Sequence, residues 1–321
     1  MKKIVVTGGC GFIGSNLIQH LINDNKIICI DNLITGSLQN IEKFIQHPNF
    51  LFINHDICDP IENLFTEKID EIYHLASIAS PEKYKKYPME TLFTSTEGTR
   101  NVLDLCLKHR TKFLFSSTSE VYGDPLVHPQ SEEYYGNVNT VGERSCYDEG
   151  KRVAETMIYL YREKYDLDVK IVRIFNTFGP NMDIDDGRVI TNFIKNIFLK
   201  KPVSIYGDGS QTRSFCYVDD MVRGLILMMK SNEVGPINIG NPHSEITIKY
   251  LVDVFEKVTN MSINAEYHDS TGDDPKIRRP VITKAQEKLG WEPRIGLEEG
   301  IIKTMDYFLD QKISYFDSTF Y

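Results

Sequence analysis

The chain has 321 residues, 41% of them hydrophobic and 25% charged, ordinary globular values that exclude a disordered, collagen-like or coiled-coil chain. One large domain or two domains sharing a core are expected at this length, with enough buried surface to need neither disulfides nor a structural metal. Lys and Arg number 36 against 45 Asp and Glu, a formal charge of −9, which is the wrong sign for coating nucleic acid or an anionic membrane, so an anionic ligand must be met by local basic groups.

Short apolar segments rich in β-branched or aromatic residues at 3–7, 26–31, 50–54, 70–75, 112–117 and 169–174 read as buried strands. Helical stripes lie between several of them, one formed by Phe12, Ile13, Leu17, Ile18, Leu21 and Ile22, another including Leu92, Val102, Leu103, Leu105 and Cys106. Strands alternating with helices imply right-handed crossovers, so the first half is predicted as a Rossmann-type, doubly wound parallel sheet covered on both faces, an α/β fold. After about residue 176 the alternation lapses into a loop, a helix near 189–199, an extended stretch at 203–217, helices near 219–230 and 247–259, and a C-terminal helical region. The predicted division is a Rossmann-type domain over 1–176, with 215–235 returning to it, and a smaller α/β substrate domain over 177–214 and 236–321. No linker rich in Gly, Pro or Ser separates the two, so they are expected to sit tightly together. The cysteines at 10, 29, 58, 106, 146 and 216 form no C-x-x-C pair and have no His at ligand spacing, so no metal site is expected and the thiols are expected to be reduced. Neither a signal-peptide pattern nor an apolar run of membrane-spanning length is read, and a cytoplasmic protein is expected.

The dinucleotide site is read from the turn after the first strand, where Gly8, Gly11 and Gly14 open the first helix at G-x-x-G-x-x-G spacing. Such glycines allow a tight turn and close approach of backbone to a pyrophosphate, which the helix N-terminus attracts. Asp31, 20 residues after Gly11, ends the second strand, where a carboxylate bonds ribose hydroxyls and repels a 2′-phosphate; NAD is therefore expected over NADP. The same site is expected to include Phe12 and Ile13 of the turn, Asn32, Thr35 and Gly36 after the second strand, and Leu75, Ala76 and Ser77 after the fourth. Asp56 and Ile57, just past the third strand, would flank the adenine, although a plain loop carboxylate also accounts for Asp56.

The catalytic candidates are Tyr147 and Lys151, four residues apart on one helical face, with Thr118 at the end of the fifth strand. Bringing a tyrosine from its ordinary pKa near 10 to about 7 requires about 4 kcal/mol. One unit charge about 4 Å away supplies roughly that at an effective dielectric near 20. Lys151 and the positive ring of an oxidised nicotinamide are expected to tune Tyr147 in this way against the opposing effect of burial. Thr118 would bond the same substrate hydroxyl. The spacing alone occurs by chance on many helices; joined to the glycine turn, Asp31 and a strand-end hydroxyl, it reads as catalytic.

These residues resemble the extended short-chain dehydrogenase/reductase superfamily over nearly the whole chain, and within it the UDP-glucuronate decarboxylase (UDP-xylose synthase) family. The resemblance is carried by TGGCGFIGSNL (7–17), DNLITGS (31–37), HDICDP (55–60), YHLAS (73–77), SSTSEVYGDP (116–125), HPQSE (128–132), RIFNTFGP (173–180), YGDGSQTRSFCYVDD (206–220) and, most selectively, GERSCYDEGKRVAET (142–156). Two positions depart from the family pattern: Ser95 stands where it has Asn, and Ile78 where it has Pro.

The resemblance implies an NAD-dependent enzyme that oxidises the sugar of UDP-glucuronate at C4, loses CO₂ from the resulting β-keto acid, and reduces the ketone again to give UDP-xylose. It implies that Glu120, with Ser119 assisting, positions the ring or governs a proton at C5, although capping of the following loop also accounts for Glu120. Arg188 and Arg213 are expected on the diphosphate, Tyr206 and Gln211 near the ribose and base, Asn176 on the sugar or diphosphate, and Arg278, ahead of Arg279, facing the substrate. A homodimer built on helices near 91–108 and 147–164 follows by the same resemblance. The competing readings are a 4-epimerase, a decarboxylase that releases the 4-keto pentose, and a non-catalytic NAD-binding regulator, which would be expected to have lost Tyr147 or Lys151.

Overall fold

The computed structural model describes residues 1–269 and 275–311; 270–274 and 312–321, assigned above to the substrate domain, lie outside the described residues. The first half runs β1 (Lys3–Thr7), α1 (Phe12–Leu21), β2 (Lys26–Asp31), β3 (Phe50–Asn54), β4 (Glu71–His74), α2 (Pro81–Lys86), α3 (Pro88–Phe93), α4 (Thr99–His109), β5 (Lys112–Thr118), α5 (Ser145–Tyr165) and β6 (Val169–Ile174). A π-helical stretch, Thr94–Gly98, joins α3 to α4. Then follow β7 (Thr177–Phe178), α6 (Val189–Phe198), β8 (Val203–Tyr206), β9 (Thr212–Ser214), β10 (Cys216–Tyr217), α7 (Val218–Lys230), β11 (Ile237–Ile239), β12 (Glu245–Thr247), α8 (Ile248–Thr259), β13 (Ala265–His268), α9 (Thr283–Leu289) and α10 (Leu297–Asp310).

Seven strands form the central sheet in the order β11-β6-β5-β4-β1-β2-β3, every neighbouring pair parallel. Period-two alternation feeds both faces: Ile4 and Val6 of β1 enter the core on the side of α1 and α7, whereas Val5 joins Phe113, Phe115, Val102 and Ala154 on the side of α4 and α5. Strand order reverses between β1 and β4, and the carboxyl ends there open a crevice, the usual ligand position in such sheets.

Strand β11 corrects the predicted boundary. Paired with β6 and nearly fully buried at Ile237 and Ile239, it extends the return to the central sheet to 239, beyond the expected 235. Three residues are too short a run to stand out as a strand until the free edge of β6 supplies a partner. The remaining strands form three pairs outside the sheet, β7 with β10, β9 with β12 and β8 with β13. One hydrophobic cluster runs from Val6 and Leu17 through Phe178 and Val218 to Phe193, Leu251 and Trp291, so the two halves share a core.

Asp220 ties the C-terminal segment to α7. At 2% exposure it accepts hydrogen bonds from the backbone N–H groups of Arg294 and Ile295, each at 2.8 Å, and from the Arg223 guanidinium, while its carbonyl accepts from the Trp291 indole. Replacing Asp220 by Ala strands the Arg294 and Ile295 N–H groups and the Arg223 guanidinium, and the expected cost is about 3 kcal/mol, read as a lowered urea midpoint at unchanged slope.

Candidate active site

A cleft of about 890 Å³ runs along the carboxyl ends of the sheet and beneath the smaller half. At one end the β1–α1 turn requires its glycines. Gly8 has φ +71, and a Cβ on Gly14 would lie 2.2 Å from the Gly8 carbonyl oxygen. No side chain caps α1 at Gly11, so its first-turn N–H groups remain available to an anion. Asp31 is buried beside the turn. Its carboxylate accepts from the N–H groups of Cys10 at 3.0 Å and Leu33 at 2.9 Å, and burial pushes its pKa up against those bonds. Each oxygen retains a lone pair for a ribose hydroxyl. Asn32 donates to Asp56 at 2.8 Å, which makes Asp56 a structural partner of the second strand's loop as well as a wall of the cleft. Phe12, Ile13, Thr35, Gly36, Ile57, Leu75, Ala76 and Ser77 complete this end. The turn and carboxylate thus fit a dinucleotide.

At the other end α5 begins beside the tip of β5 and brings Tyr147 and Lys151 to Thr118, Ser119 and Glu120 on the cleft wall. Tyr147 is 6% exposed and stacks on Tyr84, ring centroids 5.3 Å apart and planes 8° from parallel. Burial pushes its hydroxyl up to about 12, outweighing a hydrogen bond with Thr118 and the charge of Arg188. Lys151, 2% exposed, donates to the Ser116 carbonyl at 2.8 Å; its ammonium is 5.9 Å from the Tyr147 ring centroid. Burial thus opposes the phenolate at Tyr147, as expected, and the Lys151 charge expected to favour it lies on the same helical face one turn away.

Glu120 is clamped by two guanidinium groups, those of Arg144 and Arg278, the latter at 3.1 Å. Burial works to raise its pKa, but Arg278, Arg144 and Arg213 outweigh burial and hold the carboxyl well below its usual range. Asp148, behind Arg144, is pushed the other way by burial and by the Glu120 charge. Arg278 corrects an expectation. It is 1% exposed and donates to the carbonyls of Ser119 and Gly123 as well as to Glu120, so it lies behind Glu120 and not on the cleft wall. Arg279 is drawn away to Glu245. The other predicted substrate residues, Asn176, Arg188, Tyr206, Gln211 and Arg213, line the cleft. Arg188 donates to the Ala79 carbonyl at 2.9 Å, Gln211 donates to the Tyr206 carbonyl at 2.9 Å, and the buried side-chain oxygen of Asn176 has no protein partner.

Sequence reasoning assigned no role to Arg144 or Tyr84. Arg144 sits three residues before Tyr147, a spacing that puts both on one helical face, which is the signal that would have found it. Tyr84 comes from α2, and only the tertiary fold stacks it on Tyr147. Ile78, the family's Pro, stays apolar in contact with Tyr84 and Tyr147. Ser95 lies in the π-helical stretch with a buried hydroxyl that has no partner, packed against Gly150. Among the described residues no group of three or more His, Cys, Asp and Glu could hold a metal ion, and no helix is long and apolar enough to cross a membrane.

Sheet, glycine turn and Tyr–Lys pair together define a Rossmann-type protein built for a nicotinamide dinucleotide and a second ligand. The chain belongs to the NAD dependent epimerase/dehydratase family, whose model matches residues 4–240. It is 49% identical to UDP-glucuronic acid decarboxylase 3 of Arabidopsis thaliana over 93% of this chain and 86% of that protein. To UDP-glucuronic acid decarboxylase 1 of Xenopus tropicalis it is 47% identical, over 96% of this chain and 72% of that protein. Among solved structures, the UDP-glucuronic acid 4-epimerase of Bacillus cereus in complex with UDP-glucuronic acid and NAD is similar at a TM-score of 0.88 and 30% identity, over 96% of this chain and 99% of that one.

The Gly14 contact yields a direct test. Gly14→Ala forces its new methyl into the Gly8 carbonyl, and NAD affinity, measured by calorimetric titration, is expected to fall at least about tenfold, since a displacement worth about 1.4 kcal/mol suffices for that factor.

Proposed function

We propose that the chain converts UDP-glucuronate to UDP-xylose and CO₂ without net change in the redox state of its cofactor. The observation that carries this is the meeting of Tyr147, Thr118 and a doubly clamped Glu120 at one end of a dinucleotide cleft, in a chain similar to plant and animal UDP-glucuronic acid decarboxylases along nearly its whole length. NAD is preferred to NADP because the buried Asp31 carboxylate would face a 2′-phosphate.

Tyr147, as phenolate, removes the proton of the sugar 4-hydroxyl, which Thr118 orients by a hydrogen bond. When bound, NAD would supply the acceptor for the C4 hydride and later its source, together with a positive ring that, with Lys151, favours the Tyr147 phenolate. The 4-keto acid is a β-keto acid, so the C5–carboxyl bond breaks and its electrons delocalise into the carbonyl as an enolate. Tyr147 and Thr118 stabilise the charge at O4 by hydrogen bonding in a nearly dry site. Glu120, its orientation held by Arg144 and Arg278, positions the ring and governs the proton delivered to C5, with Ser119 beside it. Arg188 and Arg213 bind the diphosphate, an assignment supported by their position on the cleft wall and by the suitability of guanidinium for phosphate. Asn176, with an oxygen lacking any protein partner, takes a sugar hydroxyl; Tyr206 and Gln211 take the ribose and base.

The active form is proposed to be a homodimer. Met89 and Phe93 on α3, 55% and 45% exposed, and Val153 and Leu160 on α5, 43% and 55% exposed, present an apolar face of two adjoining helices that suits a second copy. A cytoplasmic location is supported by six free cysteines, with the Cys10 and Cys29 sulfurs left as thiols at 3.8 Å.

Incubation with UDP-glucuronate and NAD is expected to release CO₂ and yield UDP-xylose by NMR, with no lasting absorbance at 340 nm. Accumulated NADH would mean an oxidative decarboxylase, and UDP-galacturonate a 4-epimerase. Tyr147→Phe is expected to lower kcat by about 10²- to 10⁴-fold with little change in NAD affinity. Replacing Phe93 by Glu is expected to shift the sedimentation coefficient from that of a dimer to that of a monomer.

A further inference from the structure

The Lys151 ammonium is a fully buried cation whose hydrogen bond is to the neutral Ser116 carbonyl, and among the described residues no carboxylate lies within ion-pairing distance of it. A charge so placed is costly to keep. Burial lowers its pKa to about 7, and the charge of Glu155 opposes that fall. Each element around the ammonium contributes a group. From β4 comes His74, held between the hydroxyls of Thr7 and Thr99 and driven by burial and by Lys151 itself to about 3, hence neutral. From β5 come the Phe115 ring, 4.6 Å from the ammonium, and the Ser116 carbonyl. On α5 lie Tyr147, Asp148 and Glu155, and from β6 Arg173 reaches Glu155. Tyr147 is a neutral phenol at rest, and Asp148 is turned toward Arg144 and raised by burial.

Glu155 follows Lys151 by four residues, on the same face and about 6 Å along the helix axis. Its carboxylate cannot swing freely. One oxygen accepts from the Ser117 hydroxyl at 2.5 Å and the Arg173 Nε at 3.0 Å, and the other from the Arg173 Nη2 at 2.7 Å. Arg173 is anchored in turn on Tyr122, with its guanidinium 4.9 Å from the ring centroid and a 3.0 Å hydrogen bond to the phenol oxygen. The carboxylate therefore sits at a set position between the residue next to Thr118 and the helix that carries Lys151.

Resting on the roles proposed above for Tyr147 and Lys151, we infer that Glu155 is a positioning residue for the reaction: clamped by Ser117 and Arg173 one helical turn beyond Lys151, it keeps that ammonium charged and fixes the end of β5 that presents Thr118. Removing the negative charge makes the protonated form of Lys151 less favourable. The ammonium then loses its proton at lower pH, and the alkaline limb of the rate profile retreats toward acid.

The test is the pH dependence of kcat in the full chain, with NAD and UDP-glucuronate saturating. Glu155→Gln keeps the size of the side chain but strands the buried Arg173 guanidinium, so the double variant Glu155→Gln/Arg173→Met, which removes both charges, is measured beside it. In Glu155→Gln the alkaline limb is expected to move down by about one pH unit, giving about a tenfold lower kcat well above the limb and little loss below it; in the double variant, which also removes a positive charge, it moves the same way by less. Ser117→Ala, which keeps the charge and loses only a neutral anchor, is expected to lower kcat evenly without moving the limb. Single- and double-variant limbs that both coincide with the wild-type limb, or a limb displaced as far by Ser117→Ala, would overturn the inference. Lys151→Met separates the two levels of the proposal. If it retains full activity, the role of the Tyr–Lys pair falls and this inference with it. If it is inactive while the single- and double-variant limbs stay in place, the inference alone falls.

Discussion

The hydrogen bond from the buried Lys151 ammonium to the Ser116 carbonyl is the contact on which the proposed chemistry depends. Burial strengthens hydrogen bonds to a developing oxyanion, yet the same burial opposes both charged forms the proposed reaction uses, the tyrosinate and the ammonium. Tyr147 is driven up and Lys151 down by one cause, their common burial. Helix α5 makes this arrangement possible, because Tyr147, Lys151, Ala154 and Ile158 form one buried stripe that docks the helix against the core. Positioning the pair and desolvating it are therefore a single event.

Charge is unevenly distributed along the cleft. A buried carboxylate, Asp31, stands at the glycine-turn end, whereas Arg144, Arg188 and Arg213 gather at the other, in a chain of net charge −9. Glu120 stays ionised despite its burial because of Arg278, Arg144 and Arg213. A buried carboxylate with two cationic partners has a defined orientation, which suits a group that must hold a sugar ring or direct a proton. The cost of burying these charges is offset by pairing, and loss of any one partner would leave its neighbour uncompensated.

Much of the scaffold was legible in the residues. The first six parallel strands are short, largely apolar runs, so they could be read nearly to the residue, the part-exposed edge strand β3 included, and a glycine that must lie under a carbonyl oxygen leaves its spacing in the chain. The direction of a side chain is harder to read. Arg278 and Arg279 stand side by side before Pro280, and nothing local says that the first turns behind Glu120 to the carbonyls of Ser119 and Gly123 while the second leaves for Glu245. Strand β11 was missed because three residues acquire strand character only from the edge they join. The departures at Ile78 and Ser95 also gain meaning from packing: Ile78 remains an apolar neighbour of Tyr147, and Ser95 faces Gly150, one residue from Lys151.

By itself the sequence determined six of the seven strands of the sheet, the glycine turn and the Tyr–Lys spacing, because each depends on periodicity or spacing within a short stretch of chain. Only the tertiary structure decided which charges face one another: Tyr84 from α2 against Tyr147, Arg144 and Arg278 on Glu120, Arg173 on Glu155. Those pairings join residues up to 158 positions apart. They also set the protonation states, since a pKa responds to burial and to charges a few ångströms away, which the order of residues along the chain does not encode locally.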